Sequence, residues 1–316
     1  SNDCQTIIHE SGKTEICSQP KRIVALGPNI LELLLTLEVQ PIGYGDYFPL
    51  PDSKFDKPQQ QIPFLGKLVT NQPINVGTAN EPSLEAIAKL QPDLIIGNAN
   101  TNQDEYALLS QIAPTILFNY TTDDKWKQQL EKIATAVGRK KQTESIITEH
   151  NRRLNQVSTA LQPVAKTYPK MLMLGSNQLS KNLQIEPFNH SSSCSYLVED
   201  LGFELVSPPN SNNQREAGGN TSIEILPQLK ADLIIVQAWN SDFSNVGNDL
   251  LEHQLQLVRQ QWKENPIAQS MSASKQGRVY FTSAYLCRAL PGPIGAEIFL
   301  EELRQKLLSE NINNDK

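Results

Sequence analysis

The sequence predicts an α/β protein of two lobes, each with a central parallel-rich sheet, joined by a single long backbone helix. Three observations carry that expectation. Short apolar runs alternate with stretches of helical spacing along most of the chain, the pattern of strands threaded through helices. A Ser-x-Glu tripeptide is followed at one interval by Asp-Leu-Ile-Ile in two separate places, Ser83-Leu84-Glu85 with Asp93 to Ile96 and Ser222-Ile223-Glu224 with Asp232 to Ile235. Between the two copies, residues 139–162 keep helical spacing without Gly or Pro, for about 23 residues or roughly 35 Å of rod at 1.5 Å per residue.

In chain order, Thr6 to His9 and Lys13 to Ile16 read as strands joined around Glu10-Ser11-Gly12. Arg22 to Leu26 is a strand stopped by Gly27-Pro28, and Asn29 is placed to cap a helix running through Leu37. Pro41 to Gly45 is a second short strand, and Tyr47 to Pro63 a loop rich in Pro, Asp and Gln. Ser83 caps a helix over Leu84 to Leu90, which returns through Pro92-Asp93 to the strand Leu94 to Ile96. A helix at Asp104 to Ile112, a strand at Thr115 to Phe118 and a helix from about Asp124 to Val137 complete the first lobe. The long helix ends at Pro163 and Pro169, and Met171 to Gly175 restarts the alternation, which reaches Phe281. A last helix after Pro293 sets Ala296, Phe299, Leu300, Leu303 and Leu307 on one face, and the polar tail from Ser309 frays. The resulting division is 1–20 as a hairpin extension, 21–138 as the first lobe, 139–163 as the connecting helix, 164–292 as the second lobe, and 293–316 as the closing helix and tail.

With 316 residues, 39% of them hydrophobic and 20% charged, the chain can bury a sizeable core. A net charge of −6 and no long Lys or Arg run argue against a nucleic-acid partner. The most apolar stretch, Ile30 to Leu37, falls far short of the roughly 20 residues that span a bilayer. The opening Ser1-Asn2-Asp3 has neither region of a signal peptide, so the chain reads as cytosolic or as an already trimmed product. Cys4 and Cys17 flank the hairpin and can meet across it, provided their Cα atoms lie within about 7 Å. The rivals are two free thiols, or Cys4 as a lipid-attachment residue. Cys194 and Cys287 permit a second bridge, but four cysteines allow three pairings and the sequence does not choose.

In each copy of the repeat, the Ser caps a helix and the Glu sits in its first turn, where the dipole favours a negative charge. At this point the chain resembles the substrate-binding proteins of ABC importers for ferric siderophores, haem and cobalamin. The likeness covers Lys21 to Leu308. It rests on Pro20 to Leu26 with Glu32 and Gly43, on Val76-Gly77 through Ile95, on Thr221 through Ile235, and on Gln276 to Tyr280 with Gly292-Pro293. The resemblance implies that Glu85 and Glu224 meet arginines on the two subunits of a permease dimer in the inner membrane. It also implies an extracytoplasmic or periplasmic location, with lipid anchoring left open. It implies a monomer that performs no chemistry and needs no cofactor of its own. Two carboxylates held at a set distance by a stiff helix would make a bivalent ruler, because the second contact becomes intramolecular.

Ligands of open α/β sheets bind beyond the carboxyl ends of the strands. That rule selects Gly27-Pro28, Tyr44 and Asn98 to Asn102 in the first lobe, and Trp239, Tyr285, Arg288 and Arg215 in the second. A ferric siderophore brings its iron already coordinated, so the protein need supply only charge and flat contact surface; Arg and aromatic residues suit both needs. Within the resemblance, Ala79 stands where hydroxamate-binding relatives carry an arginine. The expected ligand is a ferric siderophore of the citrate or citrate-hydroxamate kind, with cobalamin or haem as the alternative. His9, His150, His190 and His253 are scattered, and no metal-ligand or phosphate-loop spacing occurs. A different class, an enzyme working between the lobes, has acid and base candidates in Asp46, Glu186 and Glu216, none with a partner at a catalytic spacing.

Overall fold

The computed structural model describes residues 3–50, 55–186, 192–208, 221–239 and 247–309. The chain divides into two compact units, the first built chiefly from Ser1–Thr148 together with Gly292–Ile294, the second chiefly from Glu149 onward.

In the first unit, β1 (Gln5–His9) and β2 (Gly12–Ile16) pair antiparallel as a hairpin. Strands β3 (Ile23–Leu26), β4 (Gly43–Gly45), β5 (Ile74–Asn75), β6 (Leu94–Asn98) and β7 (Thr115–Phe118) form an all-parallel sheet in the order β5-β4-β3-β6-β7. Every residue of β3, β6 and β7 is buried, as a parallel sheet covered on both faces requires. Helices α1 (Pro28–Thr36), α2 (Pro58–Gln61), α3 (Leu84–Leu90), α4 (Ala99–Asn102), α5 (Tyr106–Ile112) and α6 (Trp126–Ala136) connect the strands. The hairpin takes over the outer edge of β7: Glu10 N–H donates to the Leu117 carbonyl at 3.1 Å, Thr14 Oγ1 to the Thr115 carbonyl at 2.6 Å, and Leu117 N–H to His9 Nδ1 at 3.2 Å.

Helix α7 (Thr143–Thr167), 25 residues, carries the chain from the first unit into the second. It starts later than the sequence suggests because a short 3-10 turn over Lys140–Gln142 absorbs the approach. It also runs through Pro163, where the pattern reads as a stop. Proline costs the bond to the carbonyl one turn back, but Val157, Leu161, Val164 and Ala165 remain buried along one side and hold the last turn in place. Tyr168 N–H and Thr167 Oγ1 satisfy the Val164 and Pro163 carbonyls at 2.8 and 2.9 Å.

The second unit's sheet has the order β10-β8-β11-β12, from β8 (Lys170–Gln178), β9 (Asn182–Glu186), β10 (Glu204–Leu205), β11 (Leu233–Ala238) and β12 (Val279–Ser283), with β9 alone antiparallel, folded back on β8. Helices α8 (Ser193–Asp200), α9 (Gly247–Glu264), α10 (Pro266–Ser270), α11 (Ser272–Lys275), α12 (Ala284–Ala289) and α13 (Pro293–Ser309) complete it. The apolar face foreseen for the last helix, Ala296, Phe299, Leu300, Leu303 and Leu307, is buried.

The repeat is structural. Asp93 N–H bonds the Arg22 carbonyl while its carboxylate takes the Arg22 and Lys21 N–H groups; Asp232 N–H bonds the Lys170 carbonyl while its carboxylate takes Lys170 N–H. Each Asp thus ties the start of its strand to the strand beside it. The copies differ in one respect. Ser83 caps an α-helix, whereas Ser222 caps a 3-10 turn over Ile223–Gln228, where Pro227 removes a backbone donor that an α-helix needs.

Candidate functional site

Each unit carries its own polar face at the carboxyl ends of its strands. In the first, Gly27 lies at φ +122°, and a Cβ there would come within 2.7 Å of Asn29 Oδ1 and 2.9 Å of Asn98 Nδ2, so only glycine fits the turn. Pro28 opens α1 with Gly27 as its cap. Asn29 therefore caps nothing, contrary to the sequence reading, and its amide serves the face instead. Asn29 Nδ2 donates to Asn98 Oδ1 at 2.8 Å, and Tyr47 Oη donates to Asn29 Oδ1 at 2.7 Å. Asn102 accepts the Asn98 N–H and donates to the Ala79 carbonyl at 2.7 Å. Ala79 N–H bonds the Asp46 carbonyl, and its side chain is fully buried, so position 79 offers no charge to this face.

Tyr44 is fully buried, and its hydroxyl donates to Asp46 Oδ2 at 2.7 Å. The half-buried phenol of the face is Tyr47, set edge-on to Tyr120 with ring centroids 6.3 Å apart. Burial, with Tyr120 and Asp46 nearby, holds the Tyr47 hydroxyl well above its ordinary range, so it stays a donor. Sequence reasoning passed over Tyr47 because it opens a loop of turn residues, where one aromatic carries no period.

In the second unit, Trp239 follows β11 directly, its N–H bonded to the Ser176 carbonyl at 3.2 Å. The indole lies over Gly175: a methyl built there would stand 2.9 Å from Trp239 Cζ3 and 3.7 Å from Arg288 Nη2. Tyr285 and Arg288 are half-buried on α12, which Ser283 caps by accepting Tyr285 N–H at 3.1 Å. Arg288 Nη2 donates to Glu186 Oε1 at 2.9 Å. Gln184 and Glu186, two apart on β9, point the same way. Glu186 is 2% exposed, and its other oxygen receives Ser192 N–H, Ser192 Oγ and Ser195 Oγ. Gln237 Nε2 donates to Ser192 Oγ at 3.1 Å, while Gln237 Oε1 and Ser176 Oγ find no partner among the described residues.

Two disulfides are present. Cys4–Cys17 closes the hairpin with the Cα atoms 3.9 Å apart, which leaves no thiol at Cys4 for a lipid. Cys194–Cys287, which the sequence left unassigned, is buried and joins α8, the source of Ser192 and Ser195, to α12, which carries Arg288. Ser193 Oγ adds a 2.7 Å bond to the Cys287 carbonyl.

Glu85 and Glu224 are both exposed, each in the first turn of its element. Glu85 pairs with Lys89 one turn on, at 2.8 Å. Ser83 N–H bonds the Val76 carbonyl, and Thr221 pairs with Leu183 of β9, so each glutamate stands at the rim of the strand ends of its own sheet. Arg215, Glu216 and His190 lie outside the described residues. Among the described residues, no group of three or more His, Cys, Asp or Glu side chains is placed to hold a metal, and no helix is long and apolar enough to cross a membrane.

The model of the periplasmic binding protein family matches residues 23–286. The Fe(3+)-citrate-binding protein YfmC of Bacillus subtilis is 28% identical over 284 residues, covering 89% of this chain and 78% of that protein. The crystal structure of Staphylococcus aureus SirA complexed with staphyloferrin B has a TM-score of 0.73 at 22% identity, covering 96% of this chain and 98% of that one. Bacillus subtilis FeuA complexed with ferri-bacillibactin has a TM-score of 0.70 at 22% identity, with 96% and 98% covered. With a family model spanning β3 into α12, and sheets that follow one plan in both units, the chain belongs to the periplasmic binding protein family and is a solute-binding protein, not an enzyme.

Proposed function

We propose that this chain is an extracytoplasmic carrier that captures a ferric siderophore of the citrate or citrate-hydroxamate kind and delivers it to an ABC-transporter permease. One observation supports the ligand class above others: an indole seated against a glycine, with a half-exposed guanidinium beside it, at the strand ends of the second unit. The indole covers apolar chelator arms, and the guanidinium donates to carboxylate or hydroxamate oxygens. In the first unit, Asn29 and Asn98 are buried and bonded to each other, and they hold the half-buried Tyr47 hydroxyl at the strand ends of that unit's own sheet. A relative named for ferric citrate over most of this chain agrees with that chemistry. Exposed Glu85 and Glu224 are the docking residues of this reading, each free of burial at the rim of its own sheet.

Tryptophan emission tests the proposal. Trp126 and Trp262 are buried, so quenching by an iron complex reads the half-buried Trp239. Ferric citrate or a ferric citrate-hydroxamate should quench saturably and without turnover. Saturable binding of haem or cobalamin alone would sink the ligand class. Arg288→Ala should weaken the ferric ligand by about 1.5 to 3 kcal/mol, the value of a hydrogen bond to a charged group. Unchanged affinity would remove Arg288 from the site.

A further inference from the structure

Arg288 does not stand alone on its face. Its Nη2 rests on Glu186 Oε1 at 2.9 Å, with the Arg side chain 36% exposed and the Glu side chain 3% exposed. A ligand arriving at the strand ends therefore touches the guanidinium but also feels the carboxylate directly behind it. We propose that Glu186 sets the ligand class: it cancels the net charge of Arg288 and holds its orientation, so this pair favours ferric complexes of low net charge over triply anionic ones. The inference rests on the carrier reading given above and narrows it to the citrate-hydroxamate kind, because a ferric centre held by two citrates is itself multiply anionic.

The argument is one of range. A hydrogen bond from a guanidinium N–H to a ligand oxygen acts at contact and survives the presence of Glu186. The attraction of a cation for a distant anion falls only as the inverse of separation, and an opposite charge a few ångströms behind it removes most of that pull. The pair thus presents donors without a net charge. Each hydroxamate surrenders one proton to iron and each catecholate two, so a tris-hydroxamate leaves the ferric centre neutral and a tris-catecholate leaves it triply anionic. Only the second needs a net positive face.

Glu186 is built in as a fixed part of this face. Three donors converge on Oε2, from Ser192 N–H at 3.1 Å, Ser192 Oγ at 2.8 Å and Ser195 Oγ, and Oε1 is left for Arg288. Gln237 Nε2 supports Ser192 in turn at 3.1 Å. The buried Cys194–Cys287 bridge, two residues past Ser192 and one before Arg288, holds both sides of the pair in register. A glutamine at 186 keeps the shape but has one acceptor oxygen for four donors and no charge to set against Arg288.

The test is quenching of the full chain by the ferric complexes of desferrioxamine and of a tris-catecholate chelator, at low and high salt. The wild-type chain should bind the hydroxamate complex at least ~10-fold more tightly, with little salt dependence. Glu186→Gln should raise the catecholate-to-hydroxamate affinity ratio by about tenfold and steepen the salt dependence of the catecholate complex, as an uncompensated cation would. Arg288→Gln should lower that ratio below the wild-type value by leaving Glu186 without its counter-charge. A wild-type preference for the tris-catecholate complex overturns the inference even if Glu186→Gln does not fold, and so does a folded Glu186→Gln chain with an unchanged ratio. If no ferric complex binds the wild-type chain, the carrier reading itself fails.

Discussion

Two single residues show how much of the chemistry depends on one atom more or less. Gly175 gives the indole of Trp239 its seat, and a methyl there would meet Cζ3 at 2.9 Å. Gly175→Ala should leave the fold intact, shift the tryptophan emission and weaken the ferric ligand by about 1 kcal/mol or more, the usual cost of overpacking; an unchanged spectrum would mean that the ring lies elsewhere. His9 is buried with Nδ1 accepting two backbone N–H groups, from Leu117 and Ser11, and Nε2 against Thr14. Burial lowers its pKa from the ordinary 6.5, with Lys132 adding to the shift and Glu10 opposing it. A depressed histidine contributes stability that is present above the unfolded pKa and lost as pH falls through the folded one. Thermal unfolding of the wild-type chain should drop more steeply than that of His9→Gln as pH falls below about 6.5, and parallel curves would dismiss the role. Neither contact was legible in the sequence. His9 reads there as one of four scattered histidines, and Gly175 as the end of a strand, because Leu117 and Trp239, which bury them, lie far along the chain.

At the scale of elements, legibility follows the strength of the local period. The apolar cores of the long buried strands were legible, since continuous Val, Ile and Leu runs admit little else, and Thr115–Phe118 and Leu84–Leu90 match outright, while β6, β8 and β11 run two or three residues past those cores. Ends governed by tertiary contact were not: the long helix crosses Pro163 because its buried side outweighs the lost bond, and Asn29 was misread as a cap because Pro28 already starts the helix. The two disulfides differ in the same way. The hairpin bridge spans 13 residues and is one of three readings that local strands and spacing leave open, whereas Cys194–Cys287 spans 93 and joins elements no local signal connects. By chain entropy the longer loop contributes more, about 4 to 5 kcal/mol against about 3. Denaturant melts of the double serine variants should rank accordingly. Ligand affinity should fall only for Cys194→Ser with Cys287→Ser, since that bridge joins Arg288 to the serines that hold Glu186. Equal affinity in both variants would limit the second bridge to stability.

For the whole molecule, the duplicated plan is the feature on which the proposed docking rests. Exposed ion pairs such as Glu85 with Lys89 contribute only about 0 to 1 kcal/mol, so neither glutamate is needed for folding. Replacing Glu85 and Glu224 together by Ala should abolish uptake in cells while ferric-ligand affinity stays within about threefold. A large loss of affinity would assign them to the ligand. The sequence carried this much because the repeat places the same Ser, Glu and Asp at the same steps in each half. It could not show the paired Arg288 and Glu186, which meet across 102 residues. The amino-terminal hairpin has a final consequence. Its backbone and His9 occupy the groups that β7 would otherwise offer sideways to solvent. Clipping residues 3–17 would turn that seam into a template for neighbouring chains, and the carrier would be lost to self-association while its ligand faces were still intact.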